Sequence, residues 1–221
     1  MKNKSIKWSA IIPFCCLILF ASCSKDEDGS KHGTLVFEEN FDGNSGWVTG
    51  NENLGFNSEE KDGHYVVSYR INSNHVNGNT APKSIFGQAK KQILEIGYKQ
   101  TAGLGDPAIF YSRLEKGTLS WIVLNADIGY TVFKHVKDEF NLIQDWTKSS
   151  AIQGIGKTNI LRIEFENGKV DFFVNNTRLY TWNNSGISSL DQIGLGAANY
   201  TDNNDAVTLI EYDYIKAWIE E

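Results

Sequence analysis

The 221-residue chain is poor in cysteine: it has three, Cys15, Cys16 and Cys23, and none lies beyond position 23. The body of the chain can therefore form neither a disulfide nor a cysteine-ligated metal site, and its fold must stand on its core. Positive charge is also in short supply, with 21 basic against 27 acidic residues and a formal charge of −6. That balance argues against nucleic acid as a partner. Long apolar runs are missing too. The most apolar stretch, Ala10 to Ala21, has about twelve residues where a membrane-spanning helix needs around twenty. Runs with apolar residues at helical spacing are few, which argues against a helical domain.

What is present at the start is a signal peptide. Lys2, Lys4 and Lys7 precede the apolar run, and small residues follow it. Phe20-Ala21-Ser22-Cys23 resembles the lipobox of bacterial lipoproteins. The resemblance implies removal of residues 1–22 and acylation of Cys23, on its thiol and on the new amino group. Two or more acyl chains tether a protein to a membrane without embedding it. Ser24-Lys25-Asp26-Glu27-Asp28 resembles the acidic export signal that sends some Gram-negative lipoproteins to the outer face of the outer membrane. A surface-exposed outer-membrane lipoprotein is thus the expectation, with residues 23–33 as a polar linker and 34–221 as one domain. Loss of residues 1–22 removes three lysines and no acid, so the mature chain carries 18 basic and 27 acidic residues, a formal charge of −9.

The domain reads as all-β. Short runs rich in Val, Ile, Phe, Tyr and Trp recur between Gly and Asn clusters. The clearest unit is Ile160 to Leu179, where Asn167-Gly168 suits the positive φ angles of a type I′ turn. Pairing outward from that turn sets Phe165 opposite Val170, Ile163 opposite Phe172 and Leu161 opposite Val174, three apolar pairs on one face. Asn175-Asn176 begins a second tight turn into Thr177 to Trp182. Further strands are expected near Leu35 to Glu38, His64 to Ile71, Gln92 to Gln100, Ala108 to Arg113, Thr118 to Asn125, Tyr130 to His135, Asn141 to Trp146, Ile193 to Asn199 and Val207 to Ile219. About twelve strands in one domain imply two packed antiparallel sheets. The spacer from Asn72 to Lys91 reads as an irregular loop with room for one edge segment.

Several local motifs occur in a recognisable order: Phe41-Asp42 with Trp47, Asp62-Gly63-His64-Tyr65, Ile109-Phe110-Tyr111-Ser112-Arg113 and Gly129-Tyr130-Thr131-Val132. After them come Asn159 to Ile163, Asp171 to Asn176, Ile193-Gly194-Leu195-Gly196 and Tyr212-Asp213-Tyr214-Ile215. Over residues 34 to 219 this pattern resembles the concanavalin A-like, laminin-G-like jelly rolls of bacterial surface proteins. The resemblance implies a jelly-roll β-sandwich, and its motifs are turns and core strands, which speak for fold more than for activity.

Catalytic motifs are incomplete. Glycoside hydrolases of this fold carry Glu-x-Asp-x-x-Glu, whereas this chain has Glu211-Tyr212-Asp213-Tyr214-Ile215-Lys216, with lysine in the last carboxylate position. Gly154-Ile155-Gly156-Lys157-Thr158 lacks the first glycine of a phosphate-binding loop and precedes a strand. His64, His75 and His135 show no metal-ligand spacing. Aromatic residues are plentiful, and rings bind sugars by stacking on their apolar faces. Alternation puts Tyr111 with Arg113 on one strand face; with Trp121, and with Tyr98 and Tyr130 on neighbouring strands, these residues form the expected glycan site. The expected function is therefore a cell-surface glycan-binding or glycan-sensing module. The alternatives are a carbohydrate-active enzyme of the 3-keto-glycoside hydrolase and lyase type, and a structural or protein-binding envelope component. One structural calcium ion is expected where the domain ends meet, held by Glu38 or Asp42 and by Asp213, with Asp202-Asn203-Asn204-Asp205 as a second oxygen-rich candidate.

Overall fold

In the computed structural model the described residues are 33–43, 45–50, 55–70, 75–87, 89–115, 118–136, 139–190, 192–199 and 207–221. The signal segment, Cys23, its linker through residue 32 and the loop from Asp202 to Asp205 lie outside them. The strands are β1 (Thr34–Glu39), β2 (Phe56–Lys61), β3 (His64–Tyr69), β4 (His75–Thr80), β5 (Lys91–Ala102), β6 (Asp106–Glu115) and β7 (Thr118–Asn125). They continue with β8 (Gly129–Val136), β9 (Glu139–Thr147), β10 (Thr158–Glu166), β11 (Lys169–Val174), β12 (Thr177–Trp182), β13 (Gly194–Asn199) and β14 (Thr208–Glu220).

They form two antiparallel sheets. The eight-stranded sheet runs β12-β11-β10-β5-β14-β3-β2, and β1 pairs with the second half of β14, beyond the stretch that pairs with β3. The six-stranded sheet runs β4-β13-β6-β7-β8-β9. The β-sandwich expected from alternation is the observed fold. Two strands exceed expectation. Phe56-Asn57-Ser58-Glu59-Glu60-Lys61 is too polar to read as a strand, yet it pairs with β3 along the sheet edge through an Asp62-Gly63 turn with φ of 52° and 76°. β4 occupies the edge segment for which the 72–91 spacer left room.

The central hairpin follows its turn. Asn167 and Gly168 have φ of 50° and 77°, as a type I′ turn requires, and Leu161↔Val174, Ile163↔Phe172 and Phe165↔Val170 are all in register. Asn175 and Asn176 make the next turn with φ of 49° and 64°. Phe172 is fully buried, edge-on to Tyr111 of the opposite sheet at 5.3 Å between ring centroids. Burial of one such side chain contributes about 2 to 3 kcal/mol.

The facing inner surfaces make one core. Tyrosine hydroxyls stitch across it: Tyr212 on β14 donates to the Gly196 carbonyl of β13 at 2.6 Å, and Tyr130 on β8 donates to the Leu179 carbonyl of β12 at 2.6 Å. Each bond satisfies a polar atom that the sandwich buries, and each fixes one sheet against the other.

Candidate functional site

With the inner faces packed, the two outer ones are the broad surfaces left to compare. They differ in kind. On the eight-stranded sheet, cross-strand register sets Glu38, Lys216, Glu95, Arg162, Phe173 and Arg178 in one row over six strands, and Glu220, Lys91, Glu166 and Lys169 in another. Signs alternate from Glu38 to Arg162 and along the whole second row, and ion pairs close on this face: Lys216 to Glu38 at 3.3 Å, Lys91 to Glu220 at 2.7 Å and, outside the two rows, Lys99 to Glu211 at 2.6 Å. Arg162 and Arg178 lie over the Phe173 ring at 4.4 and 5.2 Å. This is a surface made for water.

The outer face of the six-stranded sheet carries an aromatic row instead. Phe110 on β6, Trp121 on β7 and Phe133 on β8 follow one another at centroid separations of 4.9 and 6.5 Å, and Phe133 meets Phe140 on β9 at 5.2 Å. Gly194 on β13 completes the row, and a Cβ there would overlap the Phe110 ring, so glycine is what lets that ring lie down on the sheet. The next row is built small: Gly78, Gly196, Ala108, Val123 and Thr131. Phe110, Trp121 and Phe133 form a second apolar cluster with Ala108, Val123 and Ala198, flanked by Val76, Leu119 and Trp146. The three rings are at most 4% exposed, whereas at the β9 edge Phe140 is 45% and Leu142 60% exposed. His135 stacks on Phe140 at 4.9 Å. The Trp121 indole N–H is buried without an acceptor among the described residues.

The structure divides the expected glycan-binding set. Trp121 is on the outer face, but Tyr98, Tyr111 and Tyr130 point into the inter-sheet core, with exposures of 2%, 0% and 4%. Burial raises the pKa of each, and in Tyr98 and Tyr111 by a wide margin. The reason is a β-bulge. Register between β6 and β7 jumps from Phe110↔Trp121 to Ser112↔Ser120, leaving Tyr111 as the extra residue. Simple alternation therefore fails from Phe110 onward, and the backbone of Arg113, whose side chain lies outside the described residues, comes into register with Leu119. Phe110, Phe133, Phe140, Asp106 and Asn125 were not anticipated. The available signal was apolar residues at every position of Ala108 to Tyr111 and of Ile122 to Leu124, a pattern of strands covered on both faces.

The expected calcium ligands are not gathered. Glu38 faces Lys216, Asp213 accepts from His64 Nε2 at 2.9 Å, and Asp42 lies in the loop after β1. Among the described residues no three His, Cys, Asp or Glu side chains converge on one position. The repulsion that was to call for a cation is offset by Lys216 and His64. Glu211 and Asp213 of the incomplete hydrolase motif sit on the charged face, engaged with Lys99 and His64.

One carboxyl stands apart on the aromatic face. Asp106 is in register with Ala198 on β13 and is 2% exposed, and burial raises its pKa from 3.8 to about 7.

No family model matches the chain, and no curated protein sequence matches it. Solved structures do. One, described with the endo-acting O-glycanases that prominent members of the human gut microbiota express to initiate mucin breakdown, has a TM-score of 0.59 at 12% identity, over 85% of this chain and 100% of that one. A protein of unknown function with a galectin-like fold from Bacillus subtilis scores 0.56 at 12% identity, over 86% and 99%. The carbohydrate recognition domain of Emp47p scores 0.53 at 14% identity, over 87% and 99%. At such identities the likeness is one of fold, a concanavalin A-like and galectin-like jelly roll.

Proposed function

We propose that the chain is a glycan-binding module, held at the bacterial cell envelope by lipid on Cys23, that takes saccharide on the outer face of its six-stranded sheet. The observation that carries the reading is the contrast between the two outer faces. A sheet with no ion pair among its described residues, whose aromatic row is buried along its length and opens at the β9 edge in exposed Phe140 and Leu142, offers there an apolar edge for a ligand with apolar patches of its own. The underside of a pyranose ring fits that demand, stacking its apolar face on the half-exposed Phe140 ring. Carbohydrate recognition in one structural neighbour and glycan cleavage in another lend the reading support.

A glycan array probed with the full chain tests it. Binding is expected, and Phe140→Ala should weaken it at least tenfold while costing under about 1 kcal/mol of stability, since that ring is already half in water. A Phe140→Ala chain that binds every array hit as well as the parent sinks the placement. The anchor is tested separately by metabolic labelling, where Cys23→Ala should abolish palmitate incorporation and release the chain from the membrane fraction.

A further inference from the structure

The chain has two Asn-Gly pairs, Asn77-Gly78 on β4 and Asn167-Gly168 in the turn between β10 and β11. In such a pair the glycine nitrogen can attack the asparagine side-chain carbon, because glycine carries no side chain to block a close backbone approach. The fold treats the two pairs differently. In the turn, Asn167 and Gly168 are held at φ of 50° and 77°, and the Gly168 carbonyl accepts from the backbone N–H and the hydroxyl of Ser185 at 2.9 and 2.8 Å. That turn is pinned from both sides, by the Glu166↔Lys169 pair and by Ser185. On β4 the side chain is instead folded onto the nucleophile: the Gly78 N–H donates to Asn77 Oδ1 at 2.9 Å. The bond holds the side-chain carbonyl beside the nitrogen that would attack it, the proximity on which intramolecular reactions depend. Nor does the ladder restrain that nitrogen. Gly78 and Gly196 approach so closely that a Cβ on either would meet the backbone of the other strand. In a close antiparallel pair the N–H groups point away from the partner, so the Gly78 N–H lies on the outer side of β4, the last strand of its sheet.

We propose that Asn77 is a site of spontaneous covalent modification, where the folded chain converts its own asparagine to isoaspartate and aspartate while sparing Asn167. The reaction needs only water and hydroxide. Hydroxide removes the Gly78 amide proton, and the nitrogen attacks Asn77 Cγ. The new N–Cγ bond forms as the Cγ–Nδ2 bond breaks, and Nδ2 takes a proton and leaves as ammonia. Water then opens the cyclic imide. Attack at Cγ leaves aspartate, and attack at the Asn77 main-chain carbonyl carbon leaves an isoaspartyl linkage, which lengthens the main chain by one methylene. The residue two places on gives the site its consequence. Asn79 is 6% exposed, and its Nδ2 faces Ser58 Oγ at 2.8 Å and the Tyr65 hydroxyl and Val48 carbonyl oxygens at 3.1 Å. The Tyr65 and Ser58 hydroxyls donate to the same Val48 carbonyl at 2.6 and 3.2 Å. This cluster fastens β4 of one sheet to β2 and β3 of the other, and to the segment that precedes β2. A methylene inserted at residue 77 displaces Asn79, and a buried polar cluster that loses one member leaves the others unpaired. Ageing at one edge residue thus loosens one sheet from the other.

The test is peptide mapping by mass spectrometry of the full chain, incubated in mildly alkaline buffer both folded and in concentrated urea. Conversion is read from the mass gained when an amide becomes an acid, and isoaspartate from its diagnostic fragment ions. In the folded chain Asn77 should convert at least about tenfold faster than Asn167. In urea, where only the shared Asn-Gly chemistry remains, the two rates should agree within about twofold. Because these rates are read on the unaltered chain, they do not depend on any variant folding. The melting temperature of the folded sample should fall as isoaspartate accumulates. Asn77→Gln, whose longer side chain must close a larger ring, should remove both the conversion at position 77 and that fall. Asn167 converting as fast as Asn77 in the folded chain, or a ratio of rates that urea leaves unchanged, overturns the selection of Asn77 by the fold. A melting temperature that stays constant while residue 77 converts, or that falls equally in Asn77→Gln, overturns the loosening of the sheets.

Discussion

The outer faces of the two sheets are made by the same pleat and lie at the same remove from the core, yet one is tiled with alternating charges and the other with rings. On the eight-stranded sheet rings lie under cations, as Phe173 does under Arg162 and Arg178 and Tyr214 under Lys216. On the six-stranded sheet rings meet rings and the floor beneath them is glycine and alanine. Solvent alone explains the first pattern and does not explain the β9 end of the second, where exposed Phe140 and Leu142 carry a standing cost in water and an aggregation hazard. A sheet face that keeps them has a use for them.

Three substitutions would break or sharpen that contrast. The largest effect is expected at Trp121, whose ring is 4% exposed between Phe110 and Phe133. Trp121→Ala should lower stability by about 3 to 5 kcal/mol in denaturant titration. A loss under about 1 kcal/mol would mean that the row is an open platform and not a second small core. Asp106→Asn comes next. The folded-state pKa of about 7 lies above the ordinary 3.8, so the native state carries no penalty from this group below about pH 4 and the full penalty above pH 7. Urea midpoints should therefore show the variant more stable than the parent by about 3 to 4 kcal/mol at pH 8 and matched to it at pH 4. Equal stability at both pH values would mean that Asp106 is better solvated than its burial implies. The smallest effect belongs to the charged face, where Lys216→Ala should cost under about 1 kcal/mol, and less in high salt, because both members of the Glu38 pair are partly exposed. It should leave glycan binding untouched.

How much of this was legible depends on where alternation holds. From Leu161 to Val174 polar and apolar residues alternate cleanly and a single Asn-Gly turn sets the register, so every pair in the hairpin can be read in advance. From Ala108 to Ser112 both faces are buried, alternation vanishes, and one bulged residue reverses the face of everything after it. Tyr111 went to the core for that reason, and Phe110, its neighbour, took the place on the outer face. Trp121 could be placed only together with its pairing to Phe110 and Phe133, since its own strand shows apolar residues on either side. Asp106 and Asn125 are separated by 19 positions, and nothing local marks them as partners. The carboxylates expected to hold calcium are a different case: three near the ends of the domain were legible, but the lysine and histidine that meet two of them arrive from register, not from sequence proximity.

The position of the last strand has a consequence for the order in which this protein can be assembled. β14 follows every other described strand along the chain, and it pairs with β5 on one edge and with β3 and β1 in turn on the other. Until residues 208–220 are in place, the eight-stranded sheet exists only as three unjoined pieces, β12-β11-β10-β5, β3-β2 and β1, and Tyr212 cannot reach across to Gly196. Folding of the sandwich must then wait for β14, through contacts between segments far apart in sequence, a slow course. A chain in which residues 208–220 have not yet docked would leave this sheet unjoined and open to proteases, and would close it when they arrive.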